Sequence, residues 1–245
     1  GLLDTEFNNN NRILSRETMH RALDTNCIAP EQFSRPGRSA IDQTILKRCT
    51  FDHHRSRRLC YSLCSSDLTG CYDRIVHTAA ALALLRLGIR HSKIHSMFDS
   101  IQRMVHKVRT AFGDSEKIYG GDEMDDWENY PQGVLQGNAN GPTIWAVLSS
   151  VVFEILQKRG FSNQFCSSIS KQLFLLIGFS YVDDCDLFQS GTDRHEVLES
   201  MQELIDNWGG LMRVTGGALR TDKSWWYLIK FIWVRGQWVP TDAGD

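Results

Sequence analysis

Three aspartates stand where a strand gives way to a turn, and that placement limits the chemistry open to them. Asp67 follows residues 58–66, in which Leu59, Tyr61 and Leu63 alternate with the smaller Cys60, Ser62 and Cys64. That is the period-2 pattern of a half-buried strand. Asp183 and Asp184 fill the short gap between the apolar run 173–179 and a second strand-like stretch, 186–189. Carboxylates beside a sheet are costly unless a cation or a base compensates them. Oxygen donors at adjacent strand ends suit Mg²⁺, which takes one or two carboxylates and completes its shell with substrate phosphates. A pair of such ions is the usual clamp for in-line phosphoryl transfer. By itself, Tyr181-Val182-Asp183-Asp184 fits a plain hairpin turn equally well, because Asp is a common turn former.

The elements around these residues can be read from periodicity. Residues 12–30 predict a short polar helix ending near Cys27, with Pro30 as its break, and 32–39 (QFSRPGRS) a loop before helical spacing resumes over 41–48. A helix rich in Ala and Leu spans 75–87 and closes at Gly88. Ile94, Met97, Phe98, Ile101, Met104, Val105 and Val108 fall at 3–4 spacing, which predicts an amphipathic helix through Val108. Residues 113–130 are polar and acidic, a loop or exposed hairpin. Gly141-Pro142 opens a helix carrying Ile144, Val147, Leu148, Val151, Val152, Ile155 and Leu156. Thr192 caps a further helix that points Val197, Met201, Leu204 and Trp208 inward and stops at Gly209-Gly210. Residues 225–239 read as two strands turning at Arg235-Gly236. The predicted class is α+β, helices packed on a small antiparallel sheet.

The 245 residues allow one domain or a tight pair, and 42% hydrophobic with 23% charged residues excludes disorder as the main state. No window approaches 18 uninterrupted apolar residues, so no membrane span or membrane partner is expected. The opening GLLDTEFNNNNR has neither feature of a secretory signal, and its initial Gly in place of Met suggests a piece of something longer. Seven cysteines at irregular spacing point to free thiols in a reducing, intracellular compartment, nucleus or cytoplasm. Net charge is −2, from 27 Lys and Arg against 29 Asp and Glu. That sum hides opposed blocks: Arg86, Arg90, Lys93, Arg103, Lys107 and Arg109 face one acid, Asp99, whereas 113–128 holds seven acids and one base, Lys117. A basic face for nucleic acid can survive inside such a neutral total.

In order along the chain stand QFSRPGRS (32–39), SSDLTGCYDRI (65–75), VLQGNANGP (134–142), FSYVDD (179–184) and GGALRTDK (216–223). This series resembles the palm of reverse transcriptases, particularly those of non-LTR retroelements and group II introns, over roughly residues 28 to 230. The resemblance implies an RNA-directed DNA polymerase of a retroelement that joins dNTPs to a primer 3′-OH with two Mg²⁺ ions, Mn²⁺ being a substitute. RNA template, DNA primer and dNTP are its implied partners. Asp67 and Asp183 match the family's metal-binding aspartates, with Asp184 as the neighbouring, weaker ligand. Tyr72 matches the aromatic gate under the incoming sugar, and Gln136 and Gly137 the pair that packs against nucleotide and template. Lys223 resembles the lysine that protonates pyrophosphate, and Arg35 and Arg38 match a basic element on the finger side. The motif at Gln32-Phe33-Ser34-Arg35 is one residue shorter than the family's. The implied organisation is partial fingers over 1–57, palm over 58–230, and a hairpin end over 231–245 without a thumb.

The RNA polymerases that share this palm place an Asp five residues after the first metal ligand, where it accepts from a ribose 2′-OH. Here that position is Tyr72, Asp73 comes one later, and the turn is Tyr-Val-Asp-Asp, so reverse transcriptase is the expectation. An inert, nucleic-acid-binding retroelement remnant and a group II intron maturase are the alternatives. Other conspicuous residues read as structural. His53-His54 with Cys60 and Cys64 match no common zinc spacing. His91 and His95 belong to the basic helix face. Trp208, Trp225, Trp226, Tyr227, Trp233 and Trp238 read as core and cross-strand packing more readily than as a base-stacking platform. Cys185 reads as a small core residue, and the acidic stretch 122–128 as a solvated insertion.

Overall fold

The computed structural model describes residues 5–120, 133–166 and 170–242. The acidic stretch 122–128 lies outside them. The described elements run α1 (Thr5–Asp24), α2 (Ala40–Arg57), β1 (Cys60–Ser66), a 3-10 turn (Tyr72–Arg74), α3 (His77–Arg86), α4 (His91–Gln102), β2 (His106–Thr110) and β3 (Gly113–Tyr119). They continue with α5 (Gly141–Lys158), β4 (Asn163–Cys166), β5 (Leu173–Leu176), β6 (Gly178–Tyr181), β7 (Asp184–Gly191), α6 (Arg194–Thr215), β8 (Trp225–Val234) and β9 (Gln237–Asp242). The fold is α+β. A five-stranded antiparallel sheet in the order β6-β7-β1-β8-β9 forms its centre, with two small hairpins, β2-β3 and β4-β5, outside it.

Alternation along β1 and β7 sorts the two faces of this sheet. Cys64, Cys185 and Leu187 point to the helices, where α5 supplies Ile144, Trp145, Leu148, Val152, Phe153 and Leu156 and α6 supplies Met201, Leu204, Trp208 and Met212. Tyr61, Leu63, Phe179 and Phe188 point the other way and pack with Phe33 and Leu176. The helix α5 is buried over most of its surface, as its predominantly apolar sequence requires, and its Ser149 and Ser150 are buried with it. Pro142 fits its first turn, where the missing N–H costs nothing. No disulfide joins any of the seven cysteines, and among the described residues no helix is long and apolar enough to cross a membrane.

Several boundaries differ from the periodicity reading. The amphipathic helix ends at Gln102, and Val105 and Val108 lie instead in an exposed segment leading through β2. The apolar run 173–179 is two strands, because the backbone N–H of Ile177 turns aside to the buried Glu31 Oε1, 3.1 Å away. β5 then pairs with β4, and β6 with β7. The cap of α6 is Asp193, whose side chain accepts from the N–H groups of His195 and Glu196. That helix runs through Gly209-Gly210 and stops at Gly216, which takes φ 95°. Asn8 and Asn11, within the polyasparagine tract, are helical and tied down. The β8-β9 turn at Arg235-Gly236 is as read, both residues at positive φ (49° and 83°) as a two-residue type I′ turn demands.

Candidate active site

The sheet register brings the aspartates together. Ser66 pairs with Cys185 across β1 and β7, so one step beyond the last pair Asp67 comes level with Asp184. Tyr181 pairs with Asp184, leaving Val182 and Asp183 as a two-residue loop. Asp67 is also anchored from the other side: its N–H donates to Ser224 Oγ (3.1 Å), and its carbonyl accepts from Arg220 N–H (2.9 Å).

The electrostatics are those of crowded, under-compensated acids. Burial pushes the Asp184 carboxyl above the usual carboxylate range, and the negative charges of Asp183, Asp186 and Asp67 push it further. Lys47 relieves part of this through its ion pair with the buried Asp186. Hard oxygen donors that repel one another are the chemistry a divalent cation completes. Among the described residues no three His, Cys, Asp or Glu side chains form a ready-made ion site.

Val182 sits at φ 58°, the left-handed region that β-branched residues avoid. Such strain costs about 1–3 kcal/mol and persists only where the surroundings impose it. Here Trp145 Nε1–H donates to the Val182 carbonyl at 2.6 Å.

Tyr72 opens the 3-10 turn beside this cluster. A Cβ built on Gly141 would lie 3.4 Å from its ring, so the ring lies on the first turn of α5. Its hydroxyl is buried without a hydrogen-bond partner among the described residues, and its pKa is pushed up by burial, then by Cys71 and by the charge of Asp183. Asp73, the next residue, is committed elsewhere: its Oδ1 accepts from Gln136 N–H at 2.9 Å. The loop 133–140 is held on the same turn by Val134 N–H to Tyr72 O (2.8 Å) and by His77 Nε2–H to Gly133 O (2.6 Å). Gln136 and Gly137 are exposed at its tip. Asn8 grips the loop from α1, donating to Gly137 O (3.3 Å) and accepting from Ala139 N–H (2.8 Å).

The QFSRPGRS loop lies against β6. Phe33 N–H donates to Ser180 O (2.8 Å), Ser180 N–H to Glu31 O (2.8 Å), and Gln32 Nε2 to Ser149 Oγ (3.0 Å). Arg35 and Arg38 thereby line a cleft of about 610 Å³ with Arg16, His20, Thr143 and Tyr181. Burial, and then the charge of Arg38, pulls the Arg35 guanidinium below its ordinary value. Lys223 is exposed on the turn that carries Arg220 and Ser224, one residue from the anchor of Asp67.

Sequence reasoning missed Arg16, His20, Asn8 and Trp145. Only Arg12, Arg16 and His20, at i, i+4 spacing, left a readable signal. The basic face expected over 86–109 is largely neutralised: Arg86 pairs with Glu154, Lys93 with Glu17, Arg103 with Asp99 and Arg109 with Asp114. His54 packs on Tyr61 and Phe165, across the sheet from the helix-facing Cys60 and Cys64, so these four share no site. Trp208 is core and Trp233 meets Trp238 edge-on across the hairpin. Trp225 and Trp226 are exposed instead of packed, Trp225 being stacked on Tyr227. Cys185 is buried as read.

Neither a protein-family model nor a curated protein sequence matches the chain. Solved structures do. An apo telomerase of Candida tropicalis, truncated from its C-terminal domain, matches with TM-score 0.54 at 12% identity, over 96% of this chain and 40% of that one. Telomerase of Candida albicans in complex with a TWJ fragment of telomeric RNA matches with TM-score 0.58 at 13% identity, over 93% of this chain and 36% of that one. The Candida tropicalis enzyme with the same kind of RNA fragment gives 0.56 at 13% identity, over 94% and 34%. The chain thus spans well under half the length of these proteins. At such identity the likeness shows the fold alone, an α+β architecture like that of part of these telomerases.

Proposed function

We propose that this chain is the palm of an RNA-directed DNA polymerase of retroelement type. The observation that carries the reading is the convergence of Asp67, Asp183 and Asp184 at neighbouring strand ends, with Tyr72 beside them and an arginine-lined cleft next to Tyr181. In the proposed reaction a primer 3′-OH loses its proton and its oxygen attacks the α-phosphate of a dNTP in line. One P–O bond forms, the bond to the β,γ-phosphates breaks, and pyrophosphate leaves.

Asp67, Asp183 and Asp184 are the residues that would hold Mg²⁺ or Mn²⁺. When bound, such ions supply charge neutralisation at the phosphates and lower the pKa of the attacking hydroxyl. The chain's own residues supply position. Arg35 and Arg38, with Arg16, offer guanidinium groups to phosphate oxygens, and the partial burial of Arg35 makes an anion there more favourable. Gln136 and Gly137 present an exposed loop tip to nucleotide and template. Lys223 is the candidate proton donor to pyrophosphate. Tyr72 stands at the position that would meet a 2′-OH, and Asp73, one residue later, accepts from the Gln136 N–H through Oδ1. A ring at that position favours deoxynucleotides over ribonucleotides. The RNA template draws support from the series of sequence motifs and from neighbours in fold that are solved with RNA.

The test is single-nucleotide incorporation by the full protein on an RNA template with a DNA primer and Mg²⁺. We expect dNTP to be used well ahead of NTP. A preference for NTP would move the protein to the RNA polymerases, and no incorporation of either would leave an inert remnant.

A further inference from the structure

The two-residue loop that carries the carboxylates is built from a poor residue for its shape. A positive φ at the first loop position only is the type II′ pattern, which Gly adopts without strain and Val does not. A Val182 left to itself would relax to negative φ, rotating the peptide that joins it to Asp183 and with it the aspartate's bearing. Among the described residues one side-chain donor is aimed against that rotation. Trp145 is buried in the first turns of α5 with its indole packed in the core, and its Nε1–H meets the Val182 carbonyl at 2.6 Å. That bond exists only while the carbonyl faces α5. The same end of α5 touches Tyr72 through Gly141, so one helix terminus addresses both the carboxylate turn and the residue beside the sugar.

We propose that Trp145 is a positioning residue: its indole N–H holds Val182 in the left-handed conformation and thereby sets where Asp183 and Asp184 point. This rests on the reading of the site as a nucleotidyl-transfer centre. Trp145 touches no reacting atom and acts through the turn alone.

A double-mutant cycle separates this from simple packing. Trp145→Phe keeps most of the ring and deletes the donor, and Val182→Gly removes the strain that the donor opposes. In the full protein, Trp145→Phe is expected to lower single-nucleotide kcat about tenfold, the upper range for one hydrogen bond. It should also raise the half-saturating Mg²⁺ concentration, with dNTP KM changed less than twofold. Measured against Val182→Gly itself, adding Trp145→Phe should cost less than twofold in kcat. An equal loss in both backgrounds, or no loss in either, overturns the proposal. The clamp can also be read without activity: in ¹⁵N-tryptophan-labelled protein the Trp145 indole N–H should be protected from solvent exchange, and the melting temperatures of the four proteins should be non-additive. Free exchange and additive melting temperatures contradict the clamp. Wild-type protein that incorporates nothing while keeping a protected indole contradicts the polymerase reading and not the clamp.

Discussion

Tyr72 separates the two polymerase readings by one side chain. Its ring lies on Gly141 at the start of α5, beside Asp183, and its buried hydroxyl has no hydrogen-bond partner among the described residues. Tyr72→Val should therefore open room for a 2′-OH while leaving the carboxylates in place. We predict a rise in NTP relative to dNTP use in single-nucleotide extension, of tenfold for each ~1.4 kcal/mol of lost exclusion. An active variant with unchanged sugar preference would make Tyr72 a packing residue. A second residue-scale prediction concerns His54, buried between α2 and the sheet with its Nδ1–H donated to Thr50 O at 2.6 Å. Burial pulls its pKa from 6.5 down to about 4. Between those values the unfolded chain takes up a proton that the folded chain refuses, so stability falls as pH drops through that window. The total loss is about 3 kcal/mol. Urea unfolding from pH 7 to 4 should show this fall, and His54→Phe should flatten it. At this scale Asp67, Asp183 and Asp184 stand out in the sequence as acids at strand ends, and Tyr72 stands out through the motif series alone. Asn8 and Trp145 do not, because each acts on a loop far along the chain, 131 residues away for Asn8 and Ala139.

Among the elements, α6 shows most plainly what spacing can and cannot reveal. Gly209-Gly210 reads as a stop, yet the helix continues because tertiary packing of Trp208 and Met212 outweighs a propensity cost of about 1 kcal/mol per Gly. The true stop, Gly216, has a steric cause that a sequence cannot display. A Cβ there would lie 1.8 Å from Arg74 O, and the backbone is at φ 95°. That contact presses the end of α6 onto the 3-10 turn bearing Tyr72. Gly216→Ala should cost about 2–3 kcal/mol, combining overpacking with left-handed strain. For a domain of this size that is a drop of roughly 5–10 °C in melting temperature. A shift under 1 °C would mean that the turn yields easily and does not fix Tyr72. The broken run 173–179 has the same kind of cause: Glu31, 146 residues upstream of Ile177, takes the N–H that an unbroken strand would use.

For the molecule as a whole, the near-neutral charge sum concealed less than its blocks suggested. Four of the six bases between Arg86 and Arg109 are spent on ion pairs with acids that composition alone could not assign to them. Positive side chains near the carboxylate turn come instead from Lys47 of α2, which acts on Asp184, and from Arg16, Arg35 and Arg38, which line the cleft beside Tyr181. The class α+β and the β8-β9 hairpin were legible because period-2 and period-3.6 patterns are local. The strand order β6-β7-β1-β8-β9 was not, since it depends on pairings between distant segments. That order is what makes one site of motifs more than 100 residues apart, and it underlies the central claim that Asp67 and the Asp183-Asp184 turn act together on one phosphate. The most direct test compares wild type with Asp67→Ala in Mg²⁺-dependent single-nucleotide incorporation by the full protein, with circular dichroism to verify that both fold. The account predicts incorporation by the wild type and a loss of at least about a thousandfold in the variant, several kcal/mol of transition-state stabilisation. Incorporation by a folded Asp67→Ala protein within about tenfold of wild type would contradict it.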